Sequence, residues 1–326
     1  MKLKLVCSVI ALSFPAPALF GAESLFDYQA KTVTMDNLTP AQKQLAYEIE
    51  AERYSKIKDL ADQIVLEQYI ESEAKKAKKS ADEVRKKLFA GAEPTDKEMK
   101  EFYEKNKERI PYPLEQVKDQ LKQHLQQEKV VKAQRDVLEK VKKQGNFAFK
   151  LPEPIAPVLD IKTEGFATKG NPSSKLTIVE FADYQCPHCR EAFEALEKVL
   201  PDFKDKVRFV FIDYPINASG ISKVVAQGAY CAGKQNKYWE FHSQAFKGQK
   251  DLSKDSPKKV AEELKLDAKA FDACLSSPEA VTHVEKAKQE GDRVGIRGTP
   301  TIYLNGRRYV NQHTPEALKE AIQKNI

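Results

Sequence analysis

The residues best suited to chemistry are two cysteines, Cys186 and Cys189, separated by Pro187 and His188. A Cys-x-x-Cys pair can bind a metal ion, close a structural disulfide or carry out thiol–disulfide exchange. The motif alone fits all three uses. The choice depends on where the pair lies in the fold and on what the rest of the chain supplies.

A metal site and an inert disulfide are both disfavoured. A structural zinc ion needs four ligands in a tetrahedral arrangement, and the sequence has no second Cys-x-x-Cys. His188, between the two cysteines, is expected to point away from them. Closing so short a loop also removes little chain entropy from the unfolded state. We therefore predict no metal and no cofactor.

The elements predicted around the pair favour redox chemistry. Residues 176–181 (LTIVEF) form an apolar run typical of a buried strand, and apolar residues at helical spacing predict a helix over 190–199. Cys186 then lies where the strand ends and the helix begins, beside unpaired backbone N–H groups and the positive end of the helix dipole. This environment favours the thiolate, which is the nucleophile.

The other residues of the motif fit the same interpretation. Pro187 suits the first helical position, where no N–H is needed. A protonated His188 would add positive charge beside the Cys186 sulfur. Cys189, one turn inward and shielded, is the natural resolving thiol. We therefore predict a redox centre with Cys186 as its nucleophile.

The rest of this region predicts a recognisable order of elements. A second buried strand is expected at 207–212, a helical block over 219–293, a hairpin at 301–310 around Asn305-Gly306, and a last helix capped by Thr314. Strand, helix, strand, helices, hairpin, helix is the order of a thioredoxin fold with a helical insertion. The predicted fold class is α+β, with this fold preceded by an all-α N-terminal domain.

The N-terminus predicts a secretory signal over residues 1–22. Two lysines precede a short apolar run, and small residues with prolines follow it. The run is well short of the roughly 20 apolar residues that a membrane span needs. We expect export to a periplasm and loss of Cys7 with the signal. An even number of cysteines then remains, which in an exported chain points to disulfides: Cys186, Cys189, Cys231 and Cys274.

The middle of the chain is predicted to be helical over 39–143. Capping boxes at Thr39, Ser80 and Thr95 mark three helix starts, each with Gln or Glu three residues later. Three prolines within 151–160 predict an extended linker. The 326-residue chain thus divides into a signal, a helical domain, a linker and a redox domain, with bounds 1–22, 23–150, 151–160 and 161–326. The net charge of +6 is modest, and the lysines are spread among glutamates, so no nucleic-acid partner is expected.

The C-terminal half resembles the DsbA-like thiol–disulfide oxidoreductases, through FADYQCPHC, FIDYP, CAGKQNKYWEFH, CLSSP and GTPTIYLNGRRY. The resemblance covers about residues 161–326 and implies that Cys186 is the nucleophile. It implies that Thr299 and Pro300 form a cis-proline loop that presents backbone to an extended substrate.

The same resemblance implies roles for three further residues. Glu180 would be a buried acid that relays a proton to or from Cys189, the alternative being a place on a strand's solvent face. Cys231 would pair with Cys274 in a structural disulfide, the alternative being two separate buried thiols.

The helical region resembles the N-terminal chaperone domain of SurA-like and parvulin-type periplasmic foldases. The stretches are ADQIVLEQYIESEAKKAKKSADEV, PTDKEMKEFYEKNKERI and PLEQVKDQLKQHLQQEKV. No isomerase domain follows, so the resemblance implies binding of unfolded chains or self-association into a homo-oligomer, and not prolyl isomerisation. A helical spacer is the alternative.

We therefore expect an exported thiol–disulfide oxidoreductase that acts on unfolded or partly folded exported proteins and is recycled by a membrane redox partner. The Pro-His pair favours an oxidase, whereas threonine before the cis-proline favours an isomerase or reductase. We favour the oxidase. An alternative from another class is a chaperone whose redox activity is secondary.

Overall fold

The computed structural model describes residues 24–89, 93–107 and 110–326. The predicted signal and Cys7 lie outside the described residues. The chain divides into two compact units: Ile49–Pro154 forms one, and Ile155–Ile326 together with the described residues up to Glu48 forms the other. The boundary between Pro154 and Ile155 falls within the predicted linker. The other boundary, between Glu48 and Ile49, lies inside the helix Pro40–Ala77, so the start of that helix groups with the redox unit.

The described chain begins with a hairpin that the sequence interpretation did not include. Strand β1, Ser24–Tyr28, pairs antiparallel with β2, Lys31–Thr34. Every residue of β1 is exposed, so the alternating burial that usually identifies a strand is missing. This hairpin is an addition to the predicted helical N-terminal region, which begins after it.

Four helices follow, and the three predicted capping boxes are confirmed. The backbone N–H of Thr39 bonds Gln42, that of Ser80 bonds Glu83 and that of Thr95 bonds Glu98, each through the side-chain oxygen, and each hydroxyl accepts in return. The helices are α1, Pro40–Ala77; α2, Ala81–Phe89; α3, Asp96–Asn106; and α4, Leu114–Gln144.

The redox unit is built on a five-stranded mixed sheet. In the order β3-β5-β4-β6-β7, β4 and β5 are parallel and every other pair is antiparallel. The strands are β3, Ala167–Gly170; β4, Leu176–Ala182; β5, Val207–Asp213; β6, Thr301–Leu304; and β7, Arg307–Tyr309. The predicted strands and hairpin are confirmed, whereas β3 was not predicted.

Helices pack on both faces of this sheet. One face contributes Ile178, Phe209 and Phe211 to the larger core, and the other contributes Val179 and Val210 to a smaller one. The helices are α5, Pro187–Val199; α6, Ile221–Gly233; α7, Tyr238–Lys247; α8, Ser256–Glu263; α9, Ala268–Leu275; α10, Pro278–Arg293; and α11, Pro315–Asn325. This arrangement confirms the predicted α+β class, a thioredoxin fold with a helical insertion.

A disulfide joins two helices of the insertion. Cys231 in α6 is bonded to Cys274 in α9, at a sequence separation of 43 residues. Closing a loop of this length restricts the unfolded chain and contributes about 4 kcal/mol in the chain-entropy model. The insertion is thereby held together independently of its apolar core.

Candidate active site

The nucleophile candidate lies at the junction between β4 and α5. Residues 183–186, which we call the active-site loop, connect the two elements, and Cys186 is the N-cap residue of α5 with extended backbone angles. Its carbonyl oxygen accepts the backbone N–H groups of Cys189 at 3.0 Å and Arg190 at 3.2 Å. The sulfur of Cys186 therefore lies at the N-terminal end of α5, where the backbone N–H groups of His188 and Cys189 contact it.

The sulfur of Cys186 is partly buried, and the thiol is free. It lies 3.2 Å from the backbone oxygen of Thr299. The pKa of Cys186 is lowered from 9.0 to about 5, chiefly by a hydrogen bond with the Cys189 side chain. The Thr299 side chain and the backbone N–H groups of Cys189 and His188 lower this pKa further, while partial burial opposes them. At neutral pH Cys186 is thus a thiolate.

Cys189 has the opposite character. Its side chain is fully buried, and its sulfur accepts the backbone N–H of Asp183 at 3.5 Å. Burial raises the pKa of Cys189, and so does its hydrogen bond to Cys186. The pair therefore shares one proton, which stays on Cys189 in a hydrogen bond to the Cys186 sulfur.

The two residues between the cysteines act differently. Pro187 occupies the first helical position, as predicted from its missing N–H. The exposed His188 imidazole pairs with Glu191, Nδ1 to Oε2 at 3.1 Å, and it is the His188 backbone that contributes to the lowered pKa of Cys186. Sequence reasoning missed Glu191, although its i,i+3 spacing was a usable signal.

The predicted cis-proline loop lies beside the pair. The peptide bond between Thr299 and Pro300 is cis. These two residues and His188 line an open groove of about 600 Å³, together with Gln312 and His313. The groove thus reaches the residue whose backbone oxygen contacts the Cys186 sulfur.

Two carboxyl groups on the central strands of the sheet, β4 and β5, are buried. Glu180 on β4 is 1% exposed, so it does not lie on a solvent face, and burial raises its pKa to about 8. Asp213 on β5 is also buried, with its pKa raised to about 8 for the same reason. Glu180 pairs with Phe211 and Ala182 with Asp213, so both carboxyls share the sheet face that carries the larger core. Sequence reasoning missed Asp213.

The active-site loop is fixed by contacts that the sequence did not reveal. The Asp183 carboxylate accepts the backbone N–H groups of Gln185, Ile216 and Asn217, at 2.6, 2.8 and 3.1 Å. The side chain of Gln185 accepts the hydroxyl of Ser219 at 2.6 Å. Ile216, Asn217 and Ser219 lie more than 30 positions beyond the residues they contact, which is why no local pattern marks them.

Neither a metal cluster nor a membrane-spanning helix occurs in the described ranges. No three His, Cys, Asp or Glu side chains there are grouped in a way that could hold a metal ion. No helix within those ranges has the length and apolar character needed to cross a membrane.

Comparison with known proteins places this architecture. The family described as Thioredoxin matches residues 162–324. The chain belongs to the thioredoxin family. The match includes the active-site loop, both cysteines and the cis-proline, and it does not include the N-terminal helices.

Curated relatives of this thioredoxin-family chain include a disulfide bond formation protein and an antiporter. Disulfide bond formation protein D of Bacillus subtilis is 29% identical over 183 residues, covering 50% of this chain and 78% of that protein. The Na(+)/H(+) antiporter NhaA 1 of Salinispora arenicola is 30% identical over 155 residues, covering 47% of this chain and 24% of the antiporter. The chain thus spans about a quarter of the antiporter's length.

Solved structures with a similar fold include two redox proteins. Oxidised BdbD from Bacillus subtilis is 25% identical with a TM-score of 0.47, covering 52% of this chain and 98% of that one. A thioredoxin-like oxidoreductase from Silicibacter pomeroyi DSS-3 is 27% identical with a TM-score of 0.44, and the match covers 49% of this chain and 92% of that one.

Proposed function

We propose that this protein is a DsbA-like thiol–disulfide oxidoreductase that exchanges disulfides with exported proteins and works mainly as an oxidase. The observation that carries the proposal is the unequal cysteine pair. Cys186 has a pKa lowered to about 5 at a partly exposed position, and Cys189 is buried with its pKa raised. The similarity to disulfide bond formation protein D supports the same reaction class.

The proposed reaction starts from the Cys186–Cys189 disulfide. A client thiolate attacks the Cys186 sulfur, the bond between the two cysteines breaks, and Cys189 takes up a proton. A second client thiolate then attacks the client sulfur of the mixed disulfide and releases Cys186 as a thiolate. The client gains one disulfide, and the enzyme keeps two electrons and one proton at neutral pH. A thiol with a low pKa leaves readily, so the second step favours oxidation of the client.

Glu180 is proposed as the acid that serves Cys189. The thiolate that leaves in the first step is buried and must be protonated promptly, because a charge there is unfavourable. Glu180 is buried and still carries its proton at pH 7, since its pKa is about 8. It lies on the sheet face that packs against the larger core, and Cys189 of α5 belongs to that core.

A redox titration against glutathione tests the oxidase assignment. We expect an oxidising potential, rapid oxidation of reduced ribonuclease and weak unscrambling of its mispaired form. Cys186→Ser should lose both activities, whereas Cys189→Ser should accumulate a mixed disulfide. A low potential with efficient unscrambling would contradict the oxidase and favour an isomerase. In the proposed oxidase cycle, a membrane redox partner reoxidises the reduced enzyme.

We further infer that the helical unit forms a homodimer through α1. Ile57, Leu60 and Ile64 recur at helical spacing along α1, yet their side chains are 37, 54 and 48% exposed. Seven residues before Leu60 stands Arg53, and seven after it stands Glu67. Antiparallel pairing of two copies about Leu60 would place Arg53 of each copy opposite Glu67 of the other and cover the apolar side chains.

Leu60→Glu should convert this dimer into a monomer, because a buried unpaired carboxylate at its centre is costly. Light scattering across a concentration series measures the mass. Val131→Glu is the matched control, since Val131 is 49% exposed in the same unit but lies on α4 and not on α1. If the wild-type protein is a monomer, the dimer is contradicted. If Leu60→Glu then also loses the ability to suppress aggregation of client proteins, the α1 surface is a chaperone surface.

A further inference from the structure

Gln249 is far from the active site in the sequence but contacts it in the fold. It lies in a short turn after α7, 63 residues beyond Cys186. Its side-chain nitrogen donates to the backbone oxygen of Tyr184 at 2.8 Å and to that of Cys186 at 2.9 Å. An amide nitrogen has two N–H groups, and both are used here. Because the two acceptors are carbonyl oxygens, only the nitrogen end of the amide can face them.

Aromatic packing fixes α7, and hence Gln249, against the loop. The Phe246 ring lies 4.8 Å from that of Tyr184 and 5.1 Å from that of Phe193 in α5. The His242 ring nitrogen Nδ1 lies 3.1 Å from the Tyr184 hydroxyl. These side chains are buried, so α7 cannot shift without disturbing both the loop and the active-site helix. Gln249 therefore reaches Cys186 from a rigid support.

The bond to Cys186 completes a set of three donors on one carbonyl oxygen. The other two are the backbone N–H groups of Cys189 and Arg190 in the first turn of α5. Together they fix the orientation of the peptide group that follows Cys186. That orientation directs the His188 and Cys189 N–H groups toward the sulfur. The Gln249 donor also offsets the negative end of a carbonyl dipole next to a negatively charged sulfur.

We propose that Gln249 is a positioning residue, whose amide holds the active-site loop in the conformation that presents the helix N–H groups to the Cys186 sulfur. The inference deepens the proposed exchange reaction and rests on it. It gives the helical insertion a defined part in the chemistry, because one of its side chains sets how strongly the fold stabilises the thiolate.

Gln249→Met tests this role, since methionine has a similar length and no N–H donor. We expect the midpoint pH of Cys186 alkylation, measured on the full-length reduced protein, to rise by about one unit. The equilibrium with glutathione should move about tenfold toward the enzyme disulfide, which corresponds to a fall of about 30 mV in potential. A purely structural role would lower the unfolding midpoint and leave the pH profile in place.

Gln235→Met provides a matched control within the same insertion. Gln235 also holds a backbone, donating to the Asp267 oxygen at 3.2 Å and accepting the Asp267 N–H at 2.8 Å. Its substitution removes a comparable pair of bonds at a site that has no contact with the active-site loop. We expect it to cost some stability and to leave the Cys186 titration unchanged.

The outcomes separate this inference from the function on which it rests. If wild-type Cys186 titrates as an ordinary thiol near pH 9, the proposed function fails. If the midpoint pH of Cys186 alkylation is low in the wild type and equally low in folded Gln249→Met, only the positioning role is overturned. Should Gln249→Met fail to fold, Gln249→Lys decides, because its ammonium group can still donate to both carbonyls. The expected midpoint is at or below wild type, and a raised midpoint in the folded lysine variant overturns the proposal.

Discussion

Between pH 4 and pH 7 we expect the reduced protein to gain stability relative to its disulfide form, by at most about 3 kcal/mol. The cause is Cys186, whose pKa is about 5 in the folded chain against 9.0 as an unperturbed thiol. The folded state then binds fewer protons than the unfolded state between these values, so stability rises with pH. The gain is complete above pH 9 and is lost as the pH falls through 5. Solvent screening at the partly exposed sulfur reduces it further.

Denaturant unfolding of both redox forms at pH 4, 5.5 and 7 measures this gain. The disulfide form has no Cys186 thiol to titrate, so the difference between the two curves isolates that group. Reduced Cys186→Ser is the control and should follow the pH dependence of the disulfide form. Parallel curves for the two wild-type forms would contradict a stabilised thiolate, and the oxidase assignment would fail with it.

This thiolate could be predicted because its causes are local in the sequence. The apolar run of β4, the Cys-Pro-His-Cys motif and the start of α5 are adjacent, so position and helix dipole follow from the order of residues. The larger cause of the lowered pKa is the Cys189 thiol, which the motif also supplies. Capping boxes and the Asn305-Gly306 turn were likewise readable, since their partners lie within a few positions.

The parts that could not be predicted depend on distant partners or lack a periodic pattern. Gln249 and Asp183 act through residues tens of positions away. The strands β1 and β3 contain no fully buried residue, so neither shows the contrast between faces on which strand prediction depends. The capping box at Thr39 predicted the start of α1 correctly, but no local pattern shows whether Leu60 contacts a core of its own chain or another molecule.

Glu180→Gln should make the disulfide form more stable at pH 9 by up to about 5 kcal/mol and leave it nearly unchanged at pH 4. Burial raises the pKa of Glu180 to about 8 from 4.5, a difference worth about 1.4 kcal/mol per unit. Here the folded state binds more protons than the unfolded state between pH 4.5 and 8, so wild-type stability falls as the pH rises. A glutamine of nearly equal size stays neutral throughout and escapes this penalty.

Unfolding of the disulfide form from pH 4 to 9 tests the effect without interference from Cys186. Asp213→Asn should change stability in the same direction, because burial raises that carboxyl's pKa to about 8 as well. Glu316→Gln, on the exposed first turn of α11, is the control and should leave the profile unaltered. A wild-type profile that is flat between pH 5 and 8 would show that Glu180 is already ionised in the folded protein.

The same variant separates a catalytic acid from a buried structural one. A glutamine cannot deliver a proton to the Cys189 thiolate, so formation of the mixed disulfide should slow and should no longer depend on a group titrating near pH 8. If the variant gains stability at high pH and reacts with clients at the wild-type rate, Glu180 is only an unfavourable buried carboxyl. Water or the client must then supply the proton to Cys189. If the variant loses both the rapid formation of the mixed disulfide and its dependence on a group that titrates near pH 8, Glu180 is the acid that protonates Cys189. The buried carboxyl then lowers the stability of the fold and in return supplies that proton.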